Sequence, residues 1–314
     1  MATMTDSSDV RLSALPPVSG RAGLRGVLAS EFTKIRSVRS TYWTIVALVI
    51  VGVGIAALVG FGITNNIQHQ PWNKAGTDGT QSILTPFLFL GQLIIAVIGA
   101  MVITSEYSTG MIRTSLTAMP RRGTVYLGKL IVLTVVTLVV SLVTSFIAFF
   151  VGSLTLSGSG VAGSLFHNVT IPMGVNMSPG PGGPNSPPNY TFVGQLTITP
   201  AHVLTAIIGS ALFVTVVAII AFGLGAIIRH TAGAITSAIG LMFVLSIIIQ
   251  ILPNTWRWDI MRFFPDAAGR VISVTLPGQQ NPHLWSTWPQ FLVTVIWAAV
   301  FVGVGGYLFR KRDA

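Results

Sequence analysis

Hydrophobic and polar positions divide the chain into six uncharged runs separated by polar segments. The runs cover about residues 42–63, 84–105, 130–154, 203–228, 234–252 and 291–309. At a helical rise of 1.5 Å, about 20 residues cross about 30 Å of hydrocarbon, so each run is long enough to span a bilayer. Between the second and third runs lies a polar, basic hinge, Glu106 to Lys129, with four Lys/Arg residues and one Glu. Its two ends enter membrane spans, which places it at a membrane surface.

The same pattern describes the flanking segments. Residues 1–23, with Ser7, Ser8, Pro16 and Pro17 and almost no large apolar side chains, read as a disordered tail. The first apolar run begins near Tyr42 and is too long for the core of a cleavable signal. From Leu24 to Arg39 the apolar residues fall within an arc of roughly 140° on a helix wheel. This predicts an amphipathic helix over 24–41, lying on the membrane surface. Glu31 falls inside the apolar arc, to pair with Lys34 or Arg36 or to meet a partner subunit.

Within the spans, Gly52, Gly54, Gly60 and Gly62 of the first read as helix-packing positions. Gln92 is the one strongly polar residue in the body of the second. A polar amide in hydrocarbon needs a partner, so it should face other helices, as interhelical glue or as a substrate contact. The turn Arg229-His230-Thr231 is so short that the fourth and fifth spans form an antiparallel hairpin. Residues Met173 to Tyr190 are rich in Pro and Gly and read as disordered or extended, neither helix nor inner strand. Trp256 to Pro265 reads as a short interfacial or re-entrant helix with Trp256, Ile260, Phe263 and Phe264 on one face, stopped by Pro265.

Composition sharpens this. A chain of 314 residues that is 51% hydrophobic and 8% charged has no room for a large soluble domain. Its formal net charge of +10 is sorted by loop. Counted by side, 14 Lys/Arg residues share the side of the hinge and the two termini, against 4 on the other. Loops that keep basic residues are cytoplasmic, so both termini are expected in the cytoplasm, facing anionic lipid or a cytoplasmic partner rather than nucleic acid. The absence of cysteine excludes disulfides, thiolate nucleophiles and Cys-based metal sites.

Candidate chemistry on the chain is sparse. Gly123-Thr-Val-Tyr-Leu-Gly128-Lys129-Leu130 follows a P-loop through the lysine, then has Leu where Ser or Thr would ligand Mg²⁺. It also leads into a membrane span where a soluble strand and helix are required. His69, His167, His202, His230 and His283 are scattered, with no two at metal-ligand spacing. The spans lack the interior carboxylates of a proton-coupled transporter, so energy for any transport would come from outside the chain.

The hinge resembles that of the permease subunits of type-2 ABC exporters. In that family the second span ends in a Glu, followed by a Gly, an Arg, a Leu and a Pro-basic pair, then Gly-Lys at the start of the third span. Here these are Glu106, Gly110, Arg113, Leu116, Pro120-Arg121-Arg122 and Gly128-Lys129. Leu252-Pro253, Trp256 and Phe264-Pro265 through Ala268-Gly269 are similar to a pattern in actinobacterial-style members. The resemblance implies an all-α integral membrane protein of a bacterial cell membrane. It would have six transmembrane helices, an N-terminal amphipathic connecting helix carrying Glu31 and Lys34, a cytoplasmic coupling helix and an outer interfacial or re-entrant helix.

By that resemblance the chain is the permease of an ATP-driven exporter, moving an amphipathic or hydrophobic substrate (drug, peptide or lipid) out of the cytoplasm. Glu106, Gly110, Arg113, Pro120, Arg121, Arg122 and Lys129 would couple it to a cytoplasmic ABC ATPase subunit. Glu106 would pair with Arg113 or Lys129, and Arg121 and Arg122 with acidic residues of the ATPase or with lipid phosphates. ATP and Mg²⁺ belong to that partner, leaving this chain without cofactor or catalytic site. A second permease copy would complete the path in contact with membrane lipids. The rival readings are a membrane scaffold or sensor that transports nothing, and a lipid-modifying membrane enzyme.

Overall fold

The structure is a computed structural model that describes residues 23–37, 39–112, 122–178, 189–275 and 285–311. Residues 1–22 of the expected tail, the hinge residues Arg113, Pro120 and Arg121, and residues 312–314 lie outside the described residues.

A surface helix α1 (Leu24–Ser37) leads to α2 (Arg39–His69), α3 (Gly79–Ser108) and α4 (Arg122–Leu156). After a β-ribbon come α5 (Pro200–Ile228) and α6 (Thr231–Gln250), then short helices α7 (Asn254–Met261) and α8 (Pro265–Arg270), and finally α9 (Thr287–Lys311). Helices α2, α3, α4, α5, α6 and α9 are long and apolar enough to cross a membrane. Five of them contain their expected runs whole, while α6 begins three residues before its run and ends at Gln250, two residues short of it. The chain is an all-α integral membrane protein with one added ribbon.

Helix α5 is the post around which the others stand. About 72% of its most apolar stretch is buried, against 22% in α2 and α9. It packs on α3, α4, α6 and α9. Small residues bring the helices together, since lipid tails are as apolar as leucine and supply no hydrophobic drive between them. At Gly99 of α3 a Cβ would collide with the backbone carbonyl of Ala218 in α5. At Gly223 of α5 it would strike the backbone of Phe301 in α9. Gly52 and Gly60 of α2 likewise face Phe87 and Thr155. The expectation that all four α2 glycines pack is corrected: a Cβ at Gly54 or Gly62 would meet nothing within 4 Å.

The turn between α5 and α6 is as tight as expected. Arg229 closes α5 in the left-handed region at φ 60°, and the His230 side chain caps the start of α6 by accepting from the Gly233 N–H. Within α6, Gly240–Val244 forms a π-helical turn, with the Leu245 N–H donating to the Gly240 carbonyl.

Of the alternatives for Met173 to Tyr190 the described residues take the extended one: 173–178 and 189–190 belong to an antiparallel ribbon, β1 (Val169–Ser178) paired with β2 (Asn189–Ile198), from Val169 opposite Ile198 to Ser178 opposite Asn189. The Pro/Gly-rich centre, residues 179–188, lies outside the described residues. Flanking β-branched residues favour extended backbone, and Ile171 and Ile198 anchor the ribbon in the core beside Val161 and Val203. Trp72 and Tyr190 meet edge to face at 5.9 Å. A difference from expectation is at Pro265, which opens α8 at its first turn instead of stopping α7, which ends at Met261. Proline fits there because that N–H has no helical partner. Phe264 is buried while Trp256, Ile260 and Phe263 are exposed, so these four do not share one face.

Candidate functional site

Both flanks of the hinge are fixed to α1. Gly128, in the second turn of α4, has no side chain to keep Val27 of α1 away, and a Cβ there would collide with it. This close approach lets Lys129 reach α1. Its Nζ is 2.8 Å from Oε2 of Glu31 and 2.6 Å from Oε1 of Glu106, the last polar residue but two in α3. Lys34 closes the figure, with Nζ 3.1 Å from Oε1 of Glu31 and 2.9 Å from Oε1 of Glu106. The result is a ring of alternating charge with no net charge.

Burial sets its energetics. The Lys129 side chain has no exposure and the two glutamates 7% each, whereas Lys34 keeps 35% and faces outward. Isolated ions at such sites are strongly disfavoured, so each charge depends on its neighbours. Burial alone would lower the pKa of Lys34. The carboxylates of Glu106 and Glu31 outweigh it and hold the ammonium above its ordinary value.

The ring brings together four of the expected residues: Glu31, Lys34, Glu106 and Lys129. Of the alternatives for Glu31, pairing with Lys34 is present, and Lys129, 98 positions away, is an addition. Glu106 pairs with Lys129 as one alternative held, and with Lys34 besides. Gly110 follows the C-cap Thr109 with φ 71° and donates its N–H to the Tyr107 carbonyl, so it ends α3 in the conformation glycine adopts without strain. Arg122 is the first residue of α4 and half-buried. Gly123 to Lys129 is helical, and the Lys129 ammonium is taken by carboxylates, so this stretch has neither the loop nor the free lysine of a phosphate cradle.

Gln92 lies elsewhere. It is buried in the middle of α3, and with its amide assigned the one orientation that satisfies both ends it donates to Oδ1 of Asp266 at 3.1 Å and accepts from Nη2 of Arg270 at 3.0 Å. The interhelical contact is therefore present, but its partners were missed. Their signal in the sequence was an acid and a base four apart in the short segment after Pro265.

No curated protein matches the sequence. Residues 27–178, from α1 to the end of β1, match the model of the family described as ABC-2 family transporter protein; the ring lies wholly within them, and the match supports an ABC-2 type permease.

Proposed function

We propose that the chain is the permease half of an ATP-driven exporter in a bacterial cell membrane, moving an amphipathic or hydrophobic substrate out of the cytoplasm. The hinge 106–129 is its cytoplasmic coupling segment, and both termini are cytoplasmic. Arg113, Arg121 and Arg122 contact the ATPase, which holds ATP and Mg²⁺, while this chain carries no catalytic or cofactor site. Two permease copies form the path.

The observation that supports this reading is the charge ring. Because Glu106 and Lys129 are bound to the same helix α1, the two ends of the hinge are held to one another and to α1. A push on the hinge from a closing ATPase is then transmitted to α3, α4 and α1 together. Such a unit is the kind of element whose displacement a partner biases.

The test is purification of the tagged chain from its native membrane in mild detergent. The reading expects a soluble ATPase in stoichiometric amount, whose turnover in the complex falls when Arg113, Arg121 and Arg122 are replaced by Ala. Unchanged pull-down and turnover in that variant would remove the docking role. Absence of any ATPase, by purification and by crosslinking, would overturn the permease reading.

A further inference from the structure

Helix α8 carries charge into the bundle. Asp266 and Arg270 pair at 2.8 Å and both bond Gln92, which lies 13 residues along α3 from Gly79, or roughly 20 Å at the helical rise. That is near the middle of a spanning helix. Ionisable residues at such depth are rare and mark substrate or ion pathways.

The pair is not sealed in. It lines a cavity of about 290 Å³ between α3, α6, α7 and α8, whose other walls include Phe89, Phe243, Ser246 and Trp258. Arg270 keeps a quarter of its side chain exposed, and its guanidinium lies 4.8 Å above the Phe89 ring. The π-helical turn of α6 carries Phe243, which meets Phe89 edge to face at 4.7 Å. Extra-wide turns of this kind recur at functional sites. Nε and Nη2 of Arg270 and Oδ1 of Asp266 are used within the cluster, while Nη1 and Oδ2 make no hydrogen bond among the described residues.

These features select a ligand chemistry. The pair offers a donor and an acceptor side by side and is neutral as a unit. A charged ligand at this depth would lose its hydration without a net countercharge, whereas a neutral group that both accepts and donates loses much less. Amides have that property and are planar, which suits aromatic walls. The volume accommodates a small group rather than a whole large molecule. We infer that this cavity binds the neutral amide group of an amphiphile, a short apolar peptide being the simplest case. The assignment to cargo rests on the permease reading above.

The test uses the full chain in lipid nanodiscs without ATPase, so its failure leaves the permease reading standing, and the loss of that reading leaves the binding result intact. The probe is a tritiated leucine–phenylalanine dipeptide, acetylated at its N-terminus and amidated at its C-terminus, followed by equilibrium dialysis. An alkylbenzene of matched size and the same dipeptide with free, charged termini serve as comparators. Saturable binding of the blocked dipeptide is expected. It should weaken about tenfold or more in Ser246→Leu, which fills the cavity and leaves the ion pair, and in the double variant Asp266→Asn/Arg270→Gln. Alkylbenzene binding should fall in the first and be unchanged in the second. Thermal melting of each variant reports folding, and Ser246→Leu decides the matter if the double variant is unstable. Equal binding of the blocked dipeptide in all folded variants, or no preference over the alkylbenzene or the charged dipeptide, overturns the proposal.

Discussion

Lys129 Nζ lies 2.6 Å from Glu106 Oε1, and the 23 positions that separate them in sequence hold the hinge. A carboxylate in the last turn of a helix is opposed by the helix dipole, so Glu106 gains nothing from its place in α3. What stabilises it is the pair of ammonium groups, one from α4 and one from α1. The contact thus exists for the tertiary arrangement rather than for either helix alone.

Removal of Lys129 should therefore unfold more than it trims. In Lys129→Met two buried carboxylates face each other with only the half-exposed Lys34 between them, and the expected loss is about 3–5 kcal/mol. Adding Glu31→Gln and Glu106→Gln should restore much of it, because the surplus negative charge is then gone. Denaturant titration of the purified protein in detergent measures both. Additive losses across the series would mean that the ring does not act as a unit.

The docking of α1 should be insensitive to pH across the neutral range and fail in base. A lysine whose pKa is raised by folding contributes its stabilisation in full below the unfolded value, near 10.5, and loses it as pH rises through the folded one. Lys34, facing Glu31 and Glu106 with Lys129 beside them, is such a group. Because the chain has no cysteine, a spin-label pair on exposed Ala29 and Leu127 needs no background removal. The distance between labels should hold from about pH 7 to 10 and broaden above. Release of α1 within that plateau would contradict the ring's role.

The spans were legible because uninterrupted apolar length is a local property, and the hinge because its charges interrupt it. Glu31 was partly legible: its place in an apolar arc announced a buried partner, and Lys34 was near enough in sequence to be named. Lys129 as a second partner was not, since the contact depends on α1 folding back against α4 at Gly128. The Asp266–Arg270 pair was hidden for the same reason. Its depth comes from the re-entry of α8, while by sequence it belongs to an outer loop. The pairing of the ribbon was obscured by its Pro/Gly-rich centre, which outweighed the β-branched residues on either side, Val169 to Ile171 before it and Thr191, Val193, Thr197 and Ile198 after it.

The glycines separate contact from composition. Gly99→Ala forces a methyl group against the Ala218 carbonyl, where backbone cannot yield cheaply, and overpacking of this kind costs about 1–3 kcal/mol. Gly54→Ala adds its methyl to open space and should be neutral or stabilise α2 by up to about 1 kcal/mol through helix propensity. Thermal melting of the two variants side by side checks the claim. Equal shifts would show that α3 and α5 are not in such close contact.

Gln92 gives the last test, of how the re-entrant segment is held. Its amide satisfies one atom of each member of the Asp266–Arg270 pair, and Leu has nearly the same size without either function. In Gln92→Leu the buried Asp266 carboxylate and the partly exposed Arg270 guanidinium each lose one partner. Bonds to charged groups are worth about 1.5–3 kcal/mol, so a loss in that range is expected. Exchange protection of the backbone around Pro265–Arg270 should fall with it, since α8 is too short to persist without its anchor. The spanning core of α5 should keep its protection. If Gln92→Leu melts at the wild-type temperature and α8 stays protected, then Thr294, which donates to the Pro265 carbonyl at 2.8 Å, and the packing of α8 on α9 hold the segment by themselves, and the amide is incidental.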